Sequence, residues 1–85
     1  MQIELTTAAK DQLSFWQKTG NKAILYKIDK LIDDIIDTPY QGLGKPEALK
    51  YNLTGCWSRR INQEHRLVYR VTEDLITILS VKGHY

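Results

Sequence analysis

Residues 57–81 read WSRRINQEHRLVYRVTEDLITILSV, and this stretch decides the fold. Three runs rich in β-branched, aromatic and alternating residues (WSRRI, HRLVYRV and LITILSV) are separated by NQE and ED, which are short enough to be hairpin connections. Strands joined by such turns run antiparallel. Within HRLVYRV, alternation sets Leu67, Tyr69 and Val71 on one face and Arg66, Val68 and Arg70 on the other. With Leu67 in the core, the two arginines share the open face. In the last strand Ile76, Ile78, Ser80, Lys82 and His84 have equal parity. That parity sends Lys82 and His84 together into a polar cleft unless Gly83 adds a bulge.

Upstream, NKAILYKIDKLIDDIID (21–37) places Ile24, Ile28, Leu31 and Ile35 on one helical stripe, widened by Leu25, Ile32 and Ile36. This helix ends at Thr38, before Pro39. An earlier helix, TTAAKDQLSFWQKTG (6–20), opens on a threonine cap at Thr6 or Thr7, repeats Ala9, Leu13 and Trp16 at helical spacing, and closes at Gly20. QIEL (2–5) reads as a short strand. PYQGLGKPEALK (39–50) holds both prolines with Gly42 and Gly44, and reads as a loop without regular structure. The order β-α-α-β-β-β predicts an α+β fold, a small, mainly antiparallel sheet with two helices packed on one face.

Eighty-five residues, 42% hydrophobic and 26% charged, give one ordinary globular domain over 1–85. No stretch approaches the roughly 20 apolar residues of a membrane span. The opening MQIELTTAAKDQLSF lacks a basic segment before an apolar run, so a cytoplasmic protein without a membrane partner is expected. Cys56 is the single cysteine and has no nucleophile signature around it. With only His65 and His84 beside it there is no zinc-ligand spacing, and neither metal nor cofactor is expected.

The net charge is only +2, but its distribution is uneven. Residues 1–44 carry five lysines against six acids. Residues 45–85 carry seven basic residues against four acids, including Arg59, Arg60, Arg66 and Arg70. Clustered guanidinium forks suit phosphate and nucleic acid, while exposed strands also use charge to stay soluble. GLGKPE is too short for a P-loop. Phosphodiester cleavage in RNA fits Glu47, the arginines and His84 better. One group takes the proton of the ribose 2′-OH, cations neutralise charge on the phosphorane, and an acid protonates the departing 5′-oxygen. An imidazole, titrating near about 6.5, can serve as that acid at neutral pH.

GLGKPEALKYNLTGCWSRRINQEHRLVY, followed by a closing HY, resembles the YoeB toxins, a branch of the RelE superfamily of bacterial type II toxin–antitoxin ribonucleases. The likeness covers essentially the whole chain, and the combination of GKPE, WSRRI, EHRLVY and HY is highly specific. It implies a RelE-like fold and a metal-independent messenger-RNA endonuclease. That enzyme works in the A site of the 70S ribosome and leaves a 2′,3′-cyclic phosphate. Carried over residue by residue, the resemblance makes Glu47 the general base, His84 the general acid and Arg66 the phosphorane-stabilising cation. Arg60 and Lys50 would hold substrate phosphate, and Tyr85 would orient or stack on the RNA. It also implies a YefM-like antitoxin whose disordered C-terminal segment folds over the toxin, and operator DNA bound only through that complex. A homodimer is left open.

Without the resemblance, Glu47 and Lys50 read as solvated loop residues, and Arg60 and Arg66 as strand charges making weak surface pairs. His65 reads as structural, holding the hairpin, and Trp16 and Trp57 as core. Two further functions stay open: a catalytically weak module that blocks the A site by occupancy, and a protein serving mainly as antitoxin-bound corepressor. One departure stands out. LIDDIIDTP carries Asp33, Asp34 and Asp37 late in the second helix, where relatives commonly place lysine and arginine. Such a surface would repel ribosomal RNA.

Overall fold

A computed structural model describes residues 2–83; the expectations placed on His84 and Tyr85 lie outside the described residues. Strand β1 (Gln2–Leu5) leads into α1 (Thr7–Lys18) and α2 (Lys22–Asp37). Thr6, not Thr7, is the α1 cap, its Oγ1 accepting the Ala9 N–H at 3.1 Å. Gly20 ends the helix in the left-handed region (φ 68°), with Gly20 N–H bonded to Gln17 and Asn21 N–H to Trp16. Asn21 then caps α2 through its Oδ1, which accepts from Ile24 N–H at 3.2 Å.

The remaining elements are β2 (Glu47–Ala48), a single 3₁₀ turn (Tyr51–Leu53), β3 (Cys56–Arg60), β4 (Arg66–Thr72) and β5 (Leu75–Ser80). They form a five-stranded sheet in the order β1-β5-β4-β3-β2. β1 runs parallel to β5, and every other pairing is antiparallel. The expected α+β class holds. The stretch expected to be irregular nevertheless contains β2. Left-handed Gly44 (φ 77°) and Lys45 (φ 52°) redirect the chain, and Arg60 N–H donates to Gly44 O at 2.7 Å, laying Glu47 opposite Ser58.

Both helices contribute to one core. Ala9 and Trp16 of α1 and the whole α2 stripe Ile24, Ile28, Leu31 and Ile35 pack against Leu67, Tyr69, Ile76, Ile78 and Val81. Each fully buried aliphatic side chain stabilises the fold by roughly 1.5–3 kcal/mol. Ile36, expected to widen the stripe, is 42% exposed.

The last strand departs from simple alternation. Val68 pairs with Ser80 while Tyr69 pairs with Ile78, leaving Leu79 as an extra residue. Ile76 and Ile78 therefore share the core with Val81 rather than with Ser80. The anticipated common projection of Ser80 and Lys82 with Ile76 and Ile78 does not occur, because parity changes at Leu79, ahead of Gly83. The Lys82 ammonium instead lies 4.9 Å from the centre of the Phe15 ring. Thr6 Oγ1 donates to the Leu79 carbonyl at 3.1 Å, satisfying a group that the bulge takes out of the ladder.

Candidate functional site

Strand pairing assigns the two faces. Trp57 and Arg59 lie opposite Tyr69 and Leu67 on the helix side, while Cys56, Ser58 and Arg60 lie opposite Arg70, Val68 and Arg66 on the open side. Arg59 thus does not belong to the basic surface where the sequence reading grouped it. It is fully buried, and all five of its N–H donors are used. Nε donates to the Tyr69 hydroxyl, Nη1 to Asp34 Oδ2 and the Leu43 carbonyl, and Nη2 to the Thr38 and Gln41 carbonyls, at 2.5–3.2 Å. Tyr69 passes the chain on, donating to the Pro39 carbonyl. One guanidinium therefore holds residues 38–43 against the sheet.

The same cage explains two titrations. The Asp34 carboxyl is held below its ordinary value, first by the hydrogen bond from Leu43 N–H and then by the one from Arg59. Burial pushes the Tyr69 phenol up, partly opposed by the Arg59 hydrogen bond. Asp34 is consequently a structural carboxylate, unlike Asp33 and Asp37, which are exposed.

On the open face, Glu47 Oε2 accepts from Arg66 Nη2 at 3.3 Å, and Arg66 Nε donates to Ser58 Oγ at 3.0 Å. The Arg66 side chain is only 14% exposed and that of Glu47 is 67% exposed. The cation is fixed by the sheet, while the carboxylate remains open to an incoming group. Arg66 N–H also donates to Gly83 O at 2.7 Å, and Gly83 N–H donates to His65 Nδ1 at 2.9 Å. The His65 ring lies edge-on to Trp16, the ring centres 4.8 Å apart. The backbone of Gly83, the residue before His84, is tied on both sides next to Arg66.

Arg60 and Arg66 line one groove of about 650 Å³ together with Lys27, Lys45, Asn62 and Gln63. Among the described residues, four cations line it and none of the lining residues is acidic. Sequence reasoning selected the two arginines and missed Lys27 and Lys45. The signal for Lys45 was its place in GKPE, immediately after Gly44; Lys27 offered none beyond its position on α2. Lys50 is exposed beyond β2 and is not among the residues lining the groove. A left-handed Lys45 costs roughly 1–2 kcal/mol. Gly44 is required beside it, because a Cβ there would lie 2.9 Å from both the Arg60 carbonyl and Leu31 Cδ2.

A paired carboxylate and guanidinium beside a cationic groove can accept a proton and stabilise an anionic phosphorus centre. The family model for a YoeB-like toxin of bacterial type II toxin-antitoxin systems matches residues 5–85. The chain belongs to this family. Toxin YoeB of Escherichia coli K12 is 53% identical over 75 residues, 88% of either chain. A YoeB/ParE toxin from Agrobacterium tumefaciens, 41% identical, superposes over the whole of both chains with a TM-score of 0.95. Staphylococcus aureus YoeB is known as a dimer (43% identity, TM-score 0.91) and in a YoeB–YefM complex (44%, 0.90). Each covers all of this chain and 98% of that one. As a YoeB-like chain, this protein is the toxin of a type II toxin–antitoxin system. Among the described residues, no helix is long and apolar enough to cross a membrane.

Proposed function

We propose that this toxin is a metal-independent endoribonuclease that cuts messenger RNA in the A site of the 70S ribosome and so stops translation. The observation that carries the reading is the Glu47–Arg66 pair, 3.3 Å apart at a groove lined by four cations. Glu47 takes the proton of the ribose 2′-OH, and the 2′-oxygen attacks phosphorus. Arg66, held in place by Ser58, loses its counter-ion as Glu47 takes up the proton, and its charge then serves the phosphorane as negative charge builds there. His84 protonates the 5′-oxygen as its bond to phosphorus breaks, leaving a 2′,3′-cyclic phosphate and a 5′-hydroxyl. Arg60 and Lys50 hold substrate phosphate, and Tyr85 orients the RNA. The short link from Gly83, fixed beside Arg66, supports the role given to His84.

The partner proposed for this chain in the cytoplasm is a YefM-like antitoxin, supported by the S. aureus YoeB–YefM complex. Its acidic segment would cover the cationic groove, and operator DNA would be met only through that complex. The S. aureus dimer supports a homodimer here as well.

The test is cleavage of messenger RNA on programmed bacterial ribosomes by the purified protein, Glu47→Ala and His84→Ala. A site-specific cut ending in a cyclic phosphate is expected, reduced on the order of 10²–10⁴-fold in each variant and absent when the A-site nucleotide is 2′-deoxy. Stable ribosome binding without a cut overturns the nuclease in favour of occlusion. Neither cut nor binding leaves the antitoxin-centred role.

A further inference from the structure

We infer that Lys27 and Lys45 form a second phosphate subsite, which takes the backbone phosphate of a nucleotide flanking the one held by Arg60 and Arg66. The inference deepens the proposed function and rests on its assignment of RNA as substrate.

Three observations converge on it. First, the two lysines come from different layers, Lys27 from α2 and Lys45 from the loop before β2, yet line the same groove as the two arginines. Second, among the described residues neither lysine forms an ion pair. The positions three and four residues from Lys27 on α2 are Ala23, Ile24, Lys30 and Leu31, whereas Lys30 has Asp33 and Asp34 at those spacings. Among the described residues, the arginine and lysine ion pairs are Arg59–Asp34 and Arg66–Glu47, and Lys27, Lys45 and Arg60 take part in none. Third, Lys45 is held at a φ of 52°, next to a glycine that permits the close approach to β3. Strain of this kind persists where a side chain has to be aimed. Lys27 is also drawn into the surface, half-buried while Lys22 and Lys30 of the same helix are exposed.

Arg66 has Glu47 as its counter-ion, which leaves Lys27, Lys45 and Arg60 as the groove's cations without an ion pair among the described residues. A single phosphate held by the two arginines would leave both lysines uncompensated. A polynucleotide, with charge repeating along its backbone, satisfies both pairs at once. Asn62 and Gln63 of the β3–β4 turn also line the groove. Asn62 Oδ1 is already engaged, accepting from the Glu64 and His65 N–H groups within the turn.

The experiment measures binding of a labelled oligo-2′-deoxyuridylate, which lacks the attacking hydroxyl, across a salt series. The proteins compared are the unsubstituted chain, Lys27→Gln, Lys45→Gly, the double variant, and Lys10→Gln as a control on the exposed side of α1. Each lost phosphate contact should flatten the slope of log affinity against log salt by about 0.7. Lys45→Gly removes the charge while relieving the left-handed strain, so it tests binding in a chain that folds at least as well. Flattening in both single variants, and roughly twice as much in the double, supports the subsite. Slopes equal to that of Lys10→Gln overturn it, as does absence of binding by the unsubstituted protein at low salt. Cleavage on ribosomes is read in parallel. If the slopes flatten but no variant or parent cuts messenger RNA, the subsite stands and the nuclease reading falls.

Discussion

Arg59 and Asp34 meet at 2.5 Å between the inner face of β3 and the last turn of α2, and the arginine of that pair has no exposed side-chain surface. A buried guanidinium is tolerated only when every donor is matched, and here a carboxylate, a phenol and three carbonyls do so. Arg59→Met should cost about 3–5 kcal/mol, because it strands those acceptors and frees residues 38–43. Arg59→Lys should cost nearly as much, since an ammonium supplies three donors instead of five. Urea denaturation of both variants measures this; an Arg59→Lys chain as stable as the parent would show that charge alone suffices.

Acid should find the same cage. The folded-state pKa of Asp34 is lowered, so its contribution is present above the unfolded value and is lost as pH falls through the folded one. The window opens near about pH 4 and extends below it. Asp34→Asn should therefore be less stable than the parent at neutral pH, and the gap should close as the pH drops into that window. Denaturation midpoints at neutral, mildly acidic and strongly acidic pH measure the gap; a constant difference contradicts the linkage.

Gly44 and Gly55 make a matched pair of tests. Both have positive φ, but a Cβ at Gly55 meets nothing within 4 Å, whereas one at Gly44 meets the Arg60 backbone and Leu31. Gly55→Ala should cost about 1 kcal/mol from backbone strain alone. Gly44→Ala should cost about 1–3 kcal/mol more and displace Lys45 from the groove. Melting temperatures rank the pair, and equal losses would rule out the steric account.

How much of this was legible follows from the kind of signal each residue leaves. The α2 stripe and the three long strands announce themselves by period, and the Thr6 cap, Gly20 and Pro39 by local chemistry. The parallel pairing of β1 with β5 leaves no local trace, because its register depends on partners over 70 residues apart. β2 is two residues inside a Gly- and Pro-rich segment, held by a single approach to β3. Arg59 shares strand parity with Trp57, which is a usable sign of burial, but an arginine is normally read as surface. The bulge at Leu79 defeated alternation because its stabilising partner, the Thr6 hydroxyl, is at the other end of the chain. Among the site residues, Glu47, Arg60 and Arg66 came from motif likeness, and Lys27 required the packed structure.

His65 should act through Gly83. His65→Ala removes the acceptor of the Gly83 N–H and, on the proposed mechanism, loosens the segment that delivers His84. The expected result is about a tenfold or greater loss in kcat with KM little changed, since positioning and not binding is lost. His65→Gln, whose amide oxygen can accept from the same N–H, should recover part of the rate. A loss in KM instead, or no rescue, would assign His65 to substrate contact or to folding.

Asp33 and Asp37 remain exposed acids at the C-terminal end of α2, once Asp34 is recognised as the partner of Arg59. Asp33→Asn with Asp37→Asn should stabilise the helix by a few tenths of a kcal/mol each, through the macrodipole. If this surface faces ribosomal RNA, the pair should also tighten ribosome binding at low salt. Sedimentation with ribosomes measures it, and unchanged affinity would remove this surface from the docking face.

β5 lies between β1 and β4, so the strand made last is an inner member of the sheet, and Leu5 waits for Ile78 before it has a neighbour. Neither helix can seat fully until Ile76, Ile78 and Val81 arrive beneath it. Because those partners lie far apart in the chain, the core closes through non-local contacts, which form slowly. For an enzyme proposed to attack ribosomes, the sheet that carries Glu47 and Arg66 is thus finished by its most distant pairing.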